Sequence, residues 1–270
     1  MVVVKNDKVS YYMDGALQSN LDIIKRASAL DWDFIFIIDG IEGAGKSIFA
    51  GQLAYYLDPT LTIDRITFSP EEFKEACLKA DKYQAVIFDE AITGGNIREA
   101  MNDVNIAIMN MLGQIRQKNL YILIVLPSFF DLDRYISLWR SRALFHIYAK
   151  GYNDRGYFYC YKDKKNYLWV KNRKFFYYDP KLKDFMGRFT NTYVVNEAEY
   201  RKKKAEVLTH INKDKKTLRT EKLTEQRNNL MYEAHKDKLY KTTELARITE
   251  LNKKTIQDII KEIRDKRGDF

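Results

Sequence analysis

Eight consecutive residues, Gly40-Ile41-Glu42-Gly43-Ala44-Gly45-Lys46-Ser47, carry the sharpest chemical signal in this 270-residue sequence. They match G-x-x-x-x-G-K-[ST] in full, a run whose glycines let backbone amides turn inward around phosphate oxygens without a Cβ in the way. The amides from Gly40 to Ile48 are expected to cradle a polyphosphate, Lys46 to bridge its terminal phosphates, and the Ser47 hydroxyl to ligate Mg²⁺. A second constellation, Asp89-Glu90, closes the apolar stretch Ala85-Val86-Ile87-Phe88. Asp89 is expected to hold Mg²⁺ through water, and Glu90 to orient and deprotonate an attacking water. A kinase must exclude water from the phosphoryl group, whereas a hydrolase wants a base for it, so the adjacent pair favours hydrolysis. A third strand, Leu120–Leu126, ends in Pro127-Ser128. Ser128 either contacts the γ-phosphate or its water, or caps the next helix. Charge in the transition state calls for an arginine. Arg98, Arg116, Arg134, Arg140 and Arg142 are candidates; Arg116, just before the third strand, is the foremost, placed for insertion into a neighbouring subunit.

These groups need elements to hold them. Phe34–Ile38, Ala85–Phe88 and Leu120–Leu126 are continuously apolar and rich in β-branched residues, which predicts buried strands. The pattern IFAGQLAYYL after Ser47 predicts a helix whose free amides and positive dipole end face the same anion. Ser69-Pro70-Glu71-Glu72 is a helix-capping signature. Val104, Ile108, Met111, Leu112 and Ile115 share one face of a further helix, which Asn119 is placed to end. Alternation of this kind predicts an α/β fold, a parallel sheet covered on both faces. From Ala143 the texture changes to a hairpin or meander, with Asn153-Asp154-Arg155-Gly156 as turn and strands at 156–161 and 167–170. After about Asn196 the chain turns helical and charged. The expected organisation is a nucleotide domain over 1–195 that includes the aromatic basic region 143–180, a charged helical linker over 196–238, and a compact helical unit over 239–270.

Composition narrows the class. With 46% apolar and 31% charged residues the chain reads as globular. The longest clean apolar run is too short to span a bilayer, and the opening residues lack a secretory signal. Two cysteines and three scattered histidines exclude a disulfide framework and a histidine-rich metal site, and point to a reducing, cytoplasmic setting. The net charge of +9 is uneven: residues 1–149 carry 15 basic and 19 acidic side chains, residues 150–270 carry 31 and 18. A basic half beside an acidic half points to a polyanion partner for one of them.

With both motifs in place, the chain resembles the additional-strand catalytic-glutamate division of P-loop ATPases, which have a RecA-like fold. Arg116-Gln117-Lys118-Asn119 leading into LYILIVLPS resembles the FtsK–HerA translocases, with Asn119 where that group has glycine and Pro-Ser where it has Thr-Gln. RALFHIYAKGYNDRGYFYCY resembles zonular occludens toxin-like proteins and viral DNA-packaging ATPases. The similarity covers about residues 30–160. It implies ATP and Mg²⁺ as cofactors, a homo-oligomeric ring, DNA as partner, hydrolysis between subunits, and a viral portal or nuclease partner in the host cytoplasm. Ile41 stands where ParA/MinD-like ATPases carry a signature lysine.

Thirteen aromatics lie between Phe145 and Tyr178, interleaved with lysines and arginines. They suit sheet packing with a basic exterior, or direct stacking on exposed bases. Residues 243–260 resemble a helix-turn-helix, with Leu245, Ile248, Leu251, Ile256, Ile259 and Ile260 as its core and Asn252 as cap. Lys253, Lys254, Thr255 and Gln257 then stand where groove-reading side chains sit, although a partner-docking bundle gives the same pattern. Two functions follow, a DNA motor driven by Mg²⁺-ATP or an ATP-gated DNA-binding protein; a small-molecule kinase is a weaker third.

Overall fold

Apolar runs with no polar alternation become the middle of a sheet, because both faces of each strand meet a layer of helices. The computed structural model of the chain describes residues 2–5, 9–89, 97–152 and 154–267, and for 2, 3, 5, 97–101, 208–222 and 267 the backbone path alone. In chain order the elements are β1 (Val2–Lys5), β2 (Ser10–Met13), α1 (Gly15–Ser28), β3 (Phe34–Gly40), α2 (Lys46–Leu57), β4 (Ile66–Thr67) and α3 (Pro70–Lys79). Then come β5 (Ala85–Asp89), α4 (Ile97–Gln117), β6 (Tyr121–Val125), β7 (Ser141–Tyr148), β8 (Tyr157–Tyr161), α5 (Lys165–Asn172) and β9 (Phe185–Arg188). The chain finishes with α6 (Glu197–Lys236), α7 (Thr242–Thr249) and α8 (Lys253–Arg267).

Seven strands form one sheet in the order β4-β5-β6-β3-β7-β8-β9. The first five run parallel; β8 and β9 return antiparallel at one edge. Strand β6 therefore stands between β3, which leads into the glycine loop, and β5, which ends in Asp89. Phe34, Phe36 and Ile38 of β3 face one layer with Phe49 and Leu53 of α2. Ile35 and Ile37 face the other, with Phe73 of α3 and Ile108, Met111 and Ile115 of α4. Each such side chain, taken fully out of water, contributes roughly 1.5–3 kcal/mol. This is a mixed α/β architecture with a mostly parallel seven-stranded sheet, consistent with the RecA-like P-loop fold expected from the sequence, and the β7–β8 hairpin follows.

Local signals account for several boundaries. Ser69 accepts from the Glu72 amide at 3.2 Å, while the Glu72 carboxylate reaches back to the Phe68 amide at 3.0 Å. Asn119 ends the α4 turn with φ of 52°, a left-handed conformation that asparagine tolerates. The strand expected at 167–170 is instead part of α5. Lys165, Leu168 and Trp169 are its buried residues, while Tyr167 and Val170 are exposed, so burial follows i, i+3, i+4 and not alternation.

Two compact units emerge, Met1–Leu208 and Thr209–Phe270. The first turns of α6 thus belong to the first unit. In the second, Met231 and Tyr232 of α6 pack with Leu245 of α7 and Ile256 and Ile260 of α8. Glu250 between α7 and α8 has φ of 57°, and the Asn252 side chain accepts from the Thr255 amide at 2.8 Å to cap α8. Among the described residues no helix is long and apolar enough to cross a membrane.

Candidate phosphate and metal site

The loop after β3 is built around three glycines with positive φ: Gly40 at 133°, Gly43 at 74° and Gly45 at 99°. At Gly40 a Cβ would stand 2.0 Å from the Ile147 carbonyl oxygen of β7, so the close approach of two strands excludes any side chain. Gly45 precedes α2 without any side-chain cap, which leaves the first-turn amides of that helix free for an anion. Ile41 is exposed and Ala44 is buried. Lys46 folds back over the loop and donates to the carbonyls of Gly40, at 2.6 Å, and Ile41, at 3.2 Å. Burial lowers the Lys46 ammonium below its ordinary range, and Asp39, Asp89 and Glu42 offset part of that shift. The Lys46 amine is thus partly desolvated and held by neutral main-chain acceptors, in reach of an anion bound on the loop.

Asp89 sits buried at the end of β5 and opens into the same cleft, of about 1090 Å³, as Glu42, Gly43, Ala44, Gly45, Lys46, Ser47 and Ile48. The oxygens of Ser47 and Asp89 are hard donors and suit Mg²⁺. Among the described residues no cluster of three or more histidine, cysteine or carboxylate side chains offers an alternative metal site. Glu90, the expected base, lies outside the described residues.

Sequence reasoning missed the cover over this cleft. Tyr200, from the first turn of α6, donates to the Asp89 carboxylate, and the Lys204 ammonium stands 3.5 Å from the same group. Tyr200 lines the same cleft as Ser47 and Asp89, so its phenol stands beside both groups expected at the metal. Burial first and the Asp89 charge second raise the Tyr200 phenol well above its ordinary range, so it stays a donor. The preceding segment is strapped to α2 by Gln52, whose amide donates to the carbonyls of Thr190 at 2.7 Å and Thr192 at 2.9 Å. Phe189 lies against Gly45, and Tyr193 and Asn191 line the cleft beside it. The available signal was the spacing Tyr200-x-x-x-Lys204, two polar-tipped side chains on one helix face.

Ser128 caps the turn after β6 by accepting from the Phe130 amide at 3.2 Å, and its hydroxyl lies 3.4 Å from that of Tyr178. Leu126 and Pro127 line the cleft; Ser128 is not among its lining residues. Behind the loop, Asp39 is fully buried and accepts from the Phe129 amide at 2.8 Å, from Tyr178, and bonds His146 at 2.9 Å. This network ties the base of the loop to β6 and β7. Arg116 is exposed in the last turn of α4, at the end of the sheet where Tyr121 pairs with Phe34, whereas the loop leaves β3 at the opposite end. Arg140 pairs with Asp33 at 2.6 Å and Arg142 lies on the Trp32 ring. Arg134 does not line the cleft, and the Arg98 side chain lies outside the described residues.

In the basic region, Phe145, Tyr157, Phe158, Tyr161 and Trp169 are buried and pack the sheet, while Tyr152, Tyr167, Phe175, Phe176 and Tyr177 are exposed. In the second unit Lys253, Lys254 and Gln257 are exposed, and the Thr255 hydroxyl donates to Asn252 at 2.9 Å.

No protein-family model matches this chain, and no curated protein matches it. Among solved structures it is similar to the N-terminal domain of zonular occludens toxin from Neisseria meningitidis, at 16% identity and a TM-score of 0.33. The match covers 59% of this chain and 94% of that one.

Proposed function

We propose that the chain binds Mg²⁺-ATP in the cleft around Gly40–Ser47 and hydrolyses it to do work on DNA. One observation carries the reading: Lys46, Ser47 and Asp89 meet in a single cleft, with an additional strand between those that supply them. The loop amides hold the phosphates, and Lys46 leaves the Gly40 and Ile41 carbonyls to lie on the terminal ones. Mg²⁺, held by Ser47 and Asp89, neutralises phosphate charge when bound. Glu90 takes the proton of the attacking water, the role that its place after Asp89 suggests. The finer reading is a DNA translocase of the genome-packaging kind, working as a homo-oligomeric ring with Arg116 inserted between neighbours. The basic excess of residues 150–270 and the exposed Lys253, Lys254 and Gln257 on α8, beside Thr255, support DNA as the partner.

A second reading is an ATP-gated DNA-binding protein, and the contacts of Tyr200 and Lys204 with Asp89 favour it, since the Mg²⁺ that accompanies ATP and the donors of α6 would compete for one carboxylate. Steady-state ATPase assays and footprinting separate the two. A motor speeds its hydrolysis with added DNA and with protein concentration, and protects DNA with little sequence preference. A gate protects one defined site in an ATP-dependent way. A chain whose hydrolysis ignores both DNA and its own concentration is not a ring motor.

A further inference from the structure

None of the candidate arginines whose side chains are described lines the cleft, yet two other arginines do, Arg155 and Arg201. Arg201 is held by Glu197 at 2.7 Å, one turn back on the same helix. Arg155, from the turn between β7 and β8, has no carboxylate partner among the described residues. Its guanidinium donates to two main-chain carbonyls instead: Tyr152 at 3.1 Å, within its own turn, and Gly43 at 3.0 Å, in the middle of the glycine loop. We infer that Arg155 is a catalytic residue of the proposed hydrolysis, placing its guanidinium on the β- and γ-phosphates of the ATP bound by its own subunit.

Three features place it there. The loop that Arg155 touches is the one whose amides face the β/γ region of a bound triphosphate. Gly43 has φ of 74°, and a Cβ there would lie 3.9 Å from the guanidinium, so the side chain rests on the loop itself. The neighbouring Gly156 fixes the root of the arginine. With φ of 89°, it brings its Cα so near β9's end that a Cβ would stand 2.5 Å from the Phe189 carbonyl oxygen, and its own carbonyl accepts from the Phe189 amide at 2.9 Å. The Phe189 ring then packs on Gly45, 3.1 Å from where a Cβ would be. Hairpin, cover and loop are therefore tied by Gly156, Phe189 and Gly45, and Arg155 projects from that tie.

The chemistry asks for such a group. In hydrolysis the water oxygen forms a bond to the γ-phosphorus while the bond to the β,γ-bridging oxygen breaks. The bridging oxygen keeps the electron pair, ADP and phosphate separate, and one water proton is released. Negative charge grows on the bridging and equatorial oxygens, and a guanidinium stays protonated throughout. A guanidinium on a phosphate oxygen joins two opposite full charges, and often two parallel hydrogen bonds, which the neutral Gly43 carbonyl does not offer, so Arg155 exchanges that carbonyl for phosphate oxygen.

The inference rests on the ATPase reading, and the test separates the two. Purified full-length wild type, Arg155→Ala and Arg155→Lys are compared for ATP turnover, for melting temperature, and for binding of Mg²⁺-ADP with and without aluminium fluoride. Arg155→Ala should lose about 1000-fold in kcat with KM little changed. It should bind ADP as wild type does but lose the extra affinity for the aluminium fluoride complex, and added guanidinium should restore part of its rate. Arg155→Lys should recover little, because an ammonium lacks the planar fork. Equal turnover in wild type and Arg155→Ala overturns the inference while the ATPase reading stands. So does recovery on mixing Arg155→Ala with Lys46→Ala subunits, which assigns the arginine to a neighbour's site. A wild type that hydrolyses no ATP overturns both.

Discussion

The loop Gly40–Ile48 and the segment Gly156–Lys204 that covers it build one site by opposite means. The loop is local: nine consecutive residues, three positive-φ glycines and one helix start, all held by strands on either side. The cover is assembled from afar, with Phe189 on Gly45, Gln52 holding Thr190 and Thr192, and Tyr200 on Asp89. The loop offers donors to an anion. The cover offers donors to Asp89, the carboxylate proposed to hold the metal. In the proposed site the loop donates to the anion while the cover competes for Asp89, so removing a side-chain donor from each should change nucleotide binding with opposite signs.

Lys46→Ala gives the largest effect on that contrast. It should cost roughly 100- to 1000-fold in turnover, the loss for one preorganised donor at a site of developing charge. An ATPase assay that finds the variant active removes the loop from the account. Next come two glycines, one on each side. Gly40→Ala meets the Ile147 carbonyl inside the sheet and should cost about 3 kcal/mol or more of unfolding free energy in denaturant titrations. Gly156→Ala strains only the tie to Phe189 and should cost less, about 1–2 kcal/mol. Equal losses would erase the distinction between loop and cover.

Tyr200→Phe has the opposite sign. It removes a hydrogen bond to a charged group, worth about 1.5 kcal/mol, and should tighten Mg²⁺-nucleotide binding about tenfold by calorimetry. Weaker binding in that variant would make Tyr200 part of the binding surface and not a competitor. The smallest effect is in pH. Nucleotide phosphates favour the charged form of Lys46, whose ammonium titrates below 10.5 in the free protein because of burial. Affinity should therefore fall as pH rises through that lowered value, and the midpoint should lie higher in the nucleotide complex. An affinity flat up to the ordinary lysine range would place the ammonium away from the phosphates.

Legibility in the sequence follows the same division. The three apolar strands, the Ser69 cap and the left-handed Asn119 are written in short stretches, because burial on both faces and local hydrogen bonds fix them. The α/β class was therefore readable. Helix α5 was not: Tyr167, Leu168, Trp169 and Val170 have the residue types of a strand, and only packing of Leu168 and Trp169 on one side selects the helix. The place of Arg155 in the cleft was equally hidden, since the contact with Gly43 spans more than a hundred residues of chain. So was that of Tyr200, whose partner Asp89 is as far away. Spacing within a helix reveals which side chains share a face, but not what that face will meet.

The most direct test is calorimetric titration of the full chain with a non-hydrolysable ATP analogue, with and without Mg²⁺, beside Lys46→Ala. The account predicts one nucleotide bound per chain, tighter with Mg²⁺, and lost in the variant. A wild type that takes up no nucleotide, or a variant that binds it as tightly, would contradict it.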